Sequence, residues 1–103
     1  MATYMVLWKA NPTAWPTDPK QTLQIIETVS GGADMLIKSG AIKELGWFSA
    51  ESGYGIIEAP SKDVVIGIAQ PFFPLYTNEI HEIVPWEAGV QAMVNSARMA
   101  ASR

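Results

Sequence analysis

Gln70-Pro71-Phe72-Phe73-Pro74-Leu75-Tyr76 is the stretch whose reading decides the fold. Two prolines end whatever helix precedes them and stiffen the turn, because proline donates no backbone hydrogen bond and restricts the residue before it. Three aromatics in so short a turn predict a loop packed against its neighbours. Upstream, Pro60-Ser61 closes one element and Ser61 is placed to cap another. The predicted second helix spans 62–70, with Val64, Val65, Ile68 and Ala69 on its buried side. Downstream, 77–86 reads as a strand.

Working outward, 54–59 and 41–51 read as two strands joined at Ser52-Gly53, with Ile42, Leu45, Trp47 and Phe48 in the earlier one. Before them stands a helix start. Asp18 is placed as its N-cap, Pro19 suits the first helical position, and Gln21 stands where a capping box expects it. Leu23, Ile26, Val29, Ala33, Leu36 and Ile37 recur at helical spacing. Gly31-Gly32 interrupts them and predicts a kink or a close packing contact, and Gly40 suits a left-handed C-terminal cap. Residues 3–11 form the first strand, with Tyr4, Val6 and Trp8 on one row and Met5 and Leu7 on the other. The last helix is expected over 87–101, with a stripe of Val90, Met93, Val94 and Ala97.

The order is β-α-β-β-α-β followed by a helix. It predicts an α+β, ferredoxin-like domain: a four-stranded antiparallel sheet with two helices on one face and a C-terminal helix. The 103 residues make one domain. Both rows of the first strand are apolar, so both faces of the sheet need cover. Either the C-terminal helix or a second copy of the sheet provides it. The last helix is short and rich in small residues (Ala88, Gly89, Ala92, Ala97), which favours a two-fold dimer with a barrel-like core. Charged residues make up only 17% of the chain, against about 25% in ordinary domains, which also favours a face buried against another chain.

The segment from Glu58-Ala59-Pro60-Ser61 through Phe72-Phe73-Pro74-Leu75-Tyr76 to Ile83 resembles muconolactone isomerase and its relatives in the dimeric α+β barrel superfamily. There a Pro-Ser pair opens the second helix and an aromatic Phe-Pro turn precedes the last strand. The resemblance implies a ferredoxin-like fold, a homodimer or larger ring, and a cavity near the sheet. It carries no catalytic residue over, since Trp8-Lys9-Ala10-Asn11-Pro12 and Trp15-Pro16 do not match that isomerase.

Net charge is −3 and the basic residues are scattered, so no nucleic-acid footprint is expected. With no cysteine there is neither a disulfide framework nor thiolate chemistry. The N-terminal apolar run lacks a basic start and is too short to span a membrane, so a cytoplasmic protein is expected. With no paired histidines, no HExxH and no cysteine, no metal site is expected; no cofactor is expected either, haem held through His81 alone being the one alternative. His81 is the single histidine. It shares a row with Glu79, stands one residue before Glu82, and is either an acid/base group in a polar pocket or a partly exposed edge-strand residue. Glu58 is either a general base in an apolar pocket or an exposed carboxylate before the second helix. Lys9, at the end of the first strand, either holds an anionic group or is solvated. Trp8, Trp47 and Tyr54, with the other aromatics, either line a pocket for a flat apolar ligand or fill core and interface. Two readings result: a small dimeric-barrel enzyme acting by isomerisation or cofactor-independent oxygenation, with His81 and Glu58 catalytic, or a non-catalytic ligand-binding or assembly module.

Overall fold

A computed structural model describes residues 1–102. The strands β1 (Ala2–Ala10), β2 (Glu44–Trp47), β3 (Ser52–Ala59) and β4 (Tyr76–Ile83) form one sheet in the order β2-β3-β1-β4. Every neighbouring pair is antiparallel. Helix α1 (Pro19–Lys38) connects β1 to β2, α2 (Lys62–Ala69) lies between β3 and β4, and α3 (Trp86–Ala101) ends the described chain. The result is an α+β fold with a four-stranded antiparallel sheet, as the element order predicts.

The topology explains why both connecting helices share one face. β1 and β2 each pair antiparallel with β3, so they run parallel to each other with β3 between them. β3 and β4 are related in the same way across β1. Connections between parallel strands of one sheet are almost always right-handed, and two such crossovers of opposed direction land on the same side. The core forms there: Tyr4 and Val6 from β1, Ile57 and Ala59 from β3, Ile42 from the loop before β2, and Val65 from α2.

Several boundaries differ from expectation. β2 is only four residues long, because the chain turns at 48–51, where Phe48 N–H donates to Ser52 O at 2.8 Å. β3 therefore begins at Ser52. β4 stops at Ile83, and Pro85 occupies the cap position of α3. Helix α1 runs unbroken through Gly31 and Gly32, and a Cβ on either would meet nothing within 4 Å, so neither glycine serves close packing. Leu23, Ile26 and Ile37 face solvent, while Ile25 and Leu36 turn inward. Val64 also faces out; Val65, its neighbour, is fully buried. Asp18 and Ser61 have extended cap backbones, but their side chains accept no cap bond from the first turn. At the start of α1, Thr22 Oγ1 donates instead to Asp18 O at 3.0 Å. Gly40 does adopt the left-handed conformation, φ +83°.

The aromatic turn is tied down. Asn11 N–H and Trp15 Nε1–H both donate to Leu75 O, at 2.8 and 3.0 Å, and Asn11 Nδ2 donates to Pro74 O at 3.2 Å. Phe72 is half-buried, whereas Phe73 projects into solvent.

Helix α3 does not fold back over the open face of the sheet. Only Val90 and Val94 in it are better than exposed. The molecule measures 65 × 28 × 21 Å with a radius of gyration of 18.0 Å, where a compact chain of this length gives about 13 Å. Among the described residues, no helix is long and apolar enough to cross a membrane.

Candidate functional site

The cavity lies on the helix-covered face. It is built by what β3 lacks. Gly53 and Gly55 sit opposite Trp8 and Val6 on the same face of the sheet, so β3 offers no side chains there. The Trp8 ring occupies the first vacancy: a Cβ at Gly53 would collide with Trp8 Cζ2 and with Gly46 O. Helix α1 contributes Val29, Ser30 and Ala33 to the opposite wall. A cavity of about 160 Å³ remains, partly open to solvent.

Its walls are largely apolar. Val6, Ile42, Leu45, Ile57 and Ile68 form the floor and sides, with Phe72 and Tyr76 coming from the turn before β4 and its first residue. Trp8 is the hub of the aromatic wall. Its ring meets Trp47 edge-on at 4.9 Å and Tyr76 edge-on at 5.5 Å, and Trp15 meets the far side of Tyr76 at 5.7 Å. Lining residues with a polar side-chain group are few: Ser30, Asn78, Tyr76 and the two tryptophans. None of the lining residues carries a formal charge at neutral pH. Burial raises the Tyr76 pKa above its ordinary value, so the phenol stays protonated.

Of the candidate residues, Trp8 and Trp47 come together here, Trp47 at the exposed mouth. Lys9, Tyr54, Glu58 and His81 lie on the opposite, open face, in register with Met5, Leu7 and Ile56. His81 Nε2 is 3.3 Å from Glu79 Oε1 on the exposed β4 edge. Glu58 Oε1 is 3.2 Å from Lys43 Nζ, both exposed. The Tyr54 hydroxyl donates to Glu44 Oε2 at 2.9 Å, which is the main reason its pKa is raised. Its ring stacks on Phe48 at 5.5 Å. Lys9 shares this face with Glu79 but pairs with Thr77 across the strands. Among the described residues, no group of three or more histidine, cysteine or carboxylate side chains is arranged to hold a metal ion.

Asn78 is the cavity residue that the sequence signals and that attention to Glu79 and His81 conceals. It alternates with Tyr76 and Ile80 on the inward row of β4, the one neutral polar side chain between two apolar ones. No family model matches the sequence, and no curated protein matches it.

Proposed function

We propose that this chain is a small-molecule-binding protein that takes a mainly apolar organic molecule into the cavity between the sheet and α1. On this reading it works as a homodimer of ferredoxin-like halves whose open sheet faces meet in a dimeric α+β barrel. The observation that carries the binding reading is the aromatic cavity around Trp8. Its volume matches that of an engineered cavity of about 150 Å³ that stays dry and takes benzene. A well-formed apolar pocket with few convergent polar groups is the usual form of a ligand site.

Two observations support the dimer. The open face carries Met5, Leu7, Tyr54 and Ile56 side by side, all only half-buried within one chain. Helix α3, about 24 Å long, has almost no packing of its own, and isolated helices near this length are marginal in water. A second copy supplies a surface for both.

The enzymatic reading, isomerisation or cofactor-independent oxygenation, draws on the His81–Glu79 contact. The carboxylate is a proton partner for the single imidazole, and the site would be assembled between the two sheets. His81→Ala and Glu58→Gln then abolish turnover of a substrate bound between the two sheets, whereas in the non-catalytic binding reading they leave the ligand content of the helix-side cavity unchanged.

Native mass measurement with extraction of co-purifying small molecules tests binding and assembly together. The expected result is a dimer releasing a small apolar compound. Leu7→Glu, on the open face, is expected to yield a folded monomer that still holds the compound. A wild-type chain that stays monomeric at high concentration overturns the dimer.

A further inference from the structure

We infer that the cavity selects an uncharged ring compound bearing a carboxamide or lactam edge, which pairs with the side-chain amide of Asn78. The inference rests on the cavity being a binding site and names the chemistry it selects. Asn78 stands on the inward row of β4 between Tyr76 and Ile80, directly opposite Trp8 in the β1–β4 pairing. It is half-buried, and among the described residues its side chain has no hydrogen-bond partner. The other half-buried asparagine is satisfied twice: Asn11 donates through Nδ2 to Pro74 O at 3.2 Å and accepts from Thr13 Oγ1 at 2.9 Å.

The Asn78 amide is also within reach. The Trp8 indole nitrogen has almost no accessible surface, its edge of the ring lying against Gly53, so a cavity ligand meets the Trp8 ring and not its N–H. No polar side-chain atom of Asn78 is sealed in that way. Asn78 borders open space on two sides, the aromatic cavity and a second hollow formed with Ile66, Gln70, Phe73 and Ile80. An asparagine amide carries both N–H donors and an acceptor oxygen. A ligand that fills the cavity takes that amide out of water and must return bonds of both kinds. A ketone returns only one; a carboxamide or lactam edge returns both in one planar pair. The lining holds no lysine, arginine or histidine, so a carboxylate would lose its water without gaining a counter-charge. The volume suits a single six-membered ring, and the aromatic walls suit a flat one.

Benzamide, acetophenone, benzoate and cumene separate the alternatives, since they share a ring and a substituent of similar size and differ in the polar group presented. Each is titrated into full-length ¹⁵N-labelled wild type and Asn78→Leu, with Kd read from backbone signals and the wild-type Asn78 Nδ2–H signals followed. Benzamide is expected to saturate the wild type and to move those signals. Cumene, which reports the apolar cavity alone, is expected to saturate as well. The ratio of the benzamide Kd to the acetophenone Kd is expected to rise about fivefold in Asn78→Leu, the effect of one neutral hydrogen bond. Benzoate is expected to bind more weakly than benzamide. An unchanged ratio, Asn78 signals that stay still at benzamide saturation, or cumene saturating where benzamide does not overturns the amide inference and leaves the cavity a binding site. The last two readouts need only the wild type, should the variant not fold. Tighter binding of benzoate than of benzamide overturns the neutral ligand. Saturable binding of none of the four overturns the site and the inference together.

Discussion

The two faces of the sheet are built from the same strands and meet different fates. On the helix side, Tyr4, Val6, Ile57 and Ala59 are each at most 5% exposed and pack with Val65 of α2. On the other side, Met5, Leu7, Tyr54 and Ile56 are half-covered by one another, with Lys43, Glu44, Glu58, Glu79 and His81 exposed around them. An apolar row is thus not a buried row. What separates them is where the crossover helices land, and topology decides that. The difference also divides the chemistry: the neutral, aromatic cavity is on one side, and the titratable groups are on the other.

Ile56 and Ile57 are neighbours in sequence and sit on opposite faces, so they test the division most strongly. Ile57→Ala is expected to cost about 2–5 kcal/mol of stability, the usual range for truncating a core isoleucine. Ile56→Ala is expected to cost less than half of that in the dissociated chain and to weaken self-association as well. Urea denaturation over a range of protein concentrations reads both effects. Equal losses at the lowest concentration would break the comparison.

Glycines sharpen it at intermediate magnitude. Gly53→Ala drives a Cβ into the Trp8 ring and the Gly46 carbonyl, an overpacking expected to cost about 1–3 kcal/mol and to alter the cavity. Gly31→Ala, in open space on α1, is expected to stabilise by about 0.5–1 kcal/mol through helix propensity. Thermal melts of the two variants should shift in opposite directions.

The smallest effect is expected from pH. All three tyrosines (Tyr4, Tyr54, Tyr76) have raised pKa values. Burial is the first cause for Tyr4 and Tyr76, and the hydrogen bond to Glu44 for Tyr54. The fold favours the neutral phenol. The stabilisation is complete below the unfolded value of about 10 and is lost as pH rises through the folded values. Phenolate absorbance should therefore titrate above about pH 10 in the folded protein and return to that value in urea. In Tyr54→Phe the two remaining phenols should still titrate high.

The fold was legible because its signals are local. Prolines at 71 and 74, Pro60-Ser61, Asp18-Pro19 and Gly40 punctuate the chain through their own backbone restrictions, and no distant residue is needed to read them. The limits of β2 were not legible, since Trp47 and Phe48 have strand-like character whether or not they pair. Nor was the inward row of α1, where Ile25 and Ile26 are equally apolar and only the approach to the sheet chooses between them. The site divided in the same way. Trp8 and Trp47 could be nominated by residue type, but Asn78 gained its meaning only from standing opposite Trp8.

By itself, then, the sequence determined the order of elements, the apolar character of both strand rows and the absence of cysteine chemistry, because periodicity and backbone restriction act over a few residues. Only the tertiary structure decided which row became core, that a cavity lies beside the glycines of β3 with α1 as its other wall, and that one indole N–H is buried without an acceptor. Those are consequences of residues far apart in the chain being brought face to face, and no local rule carries that information.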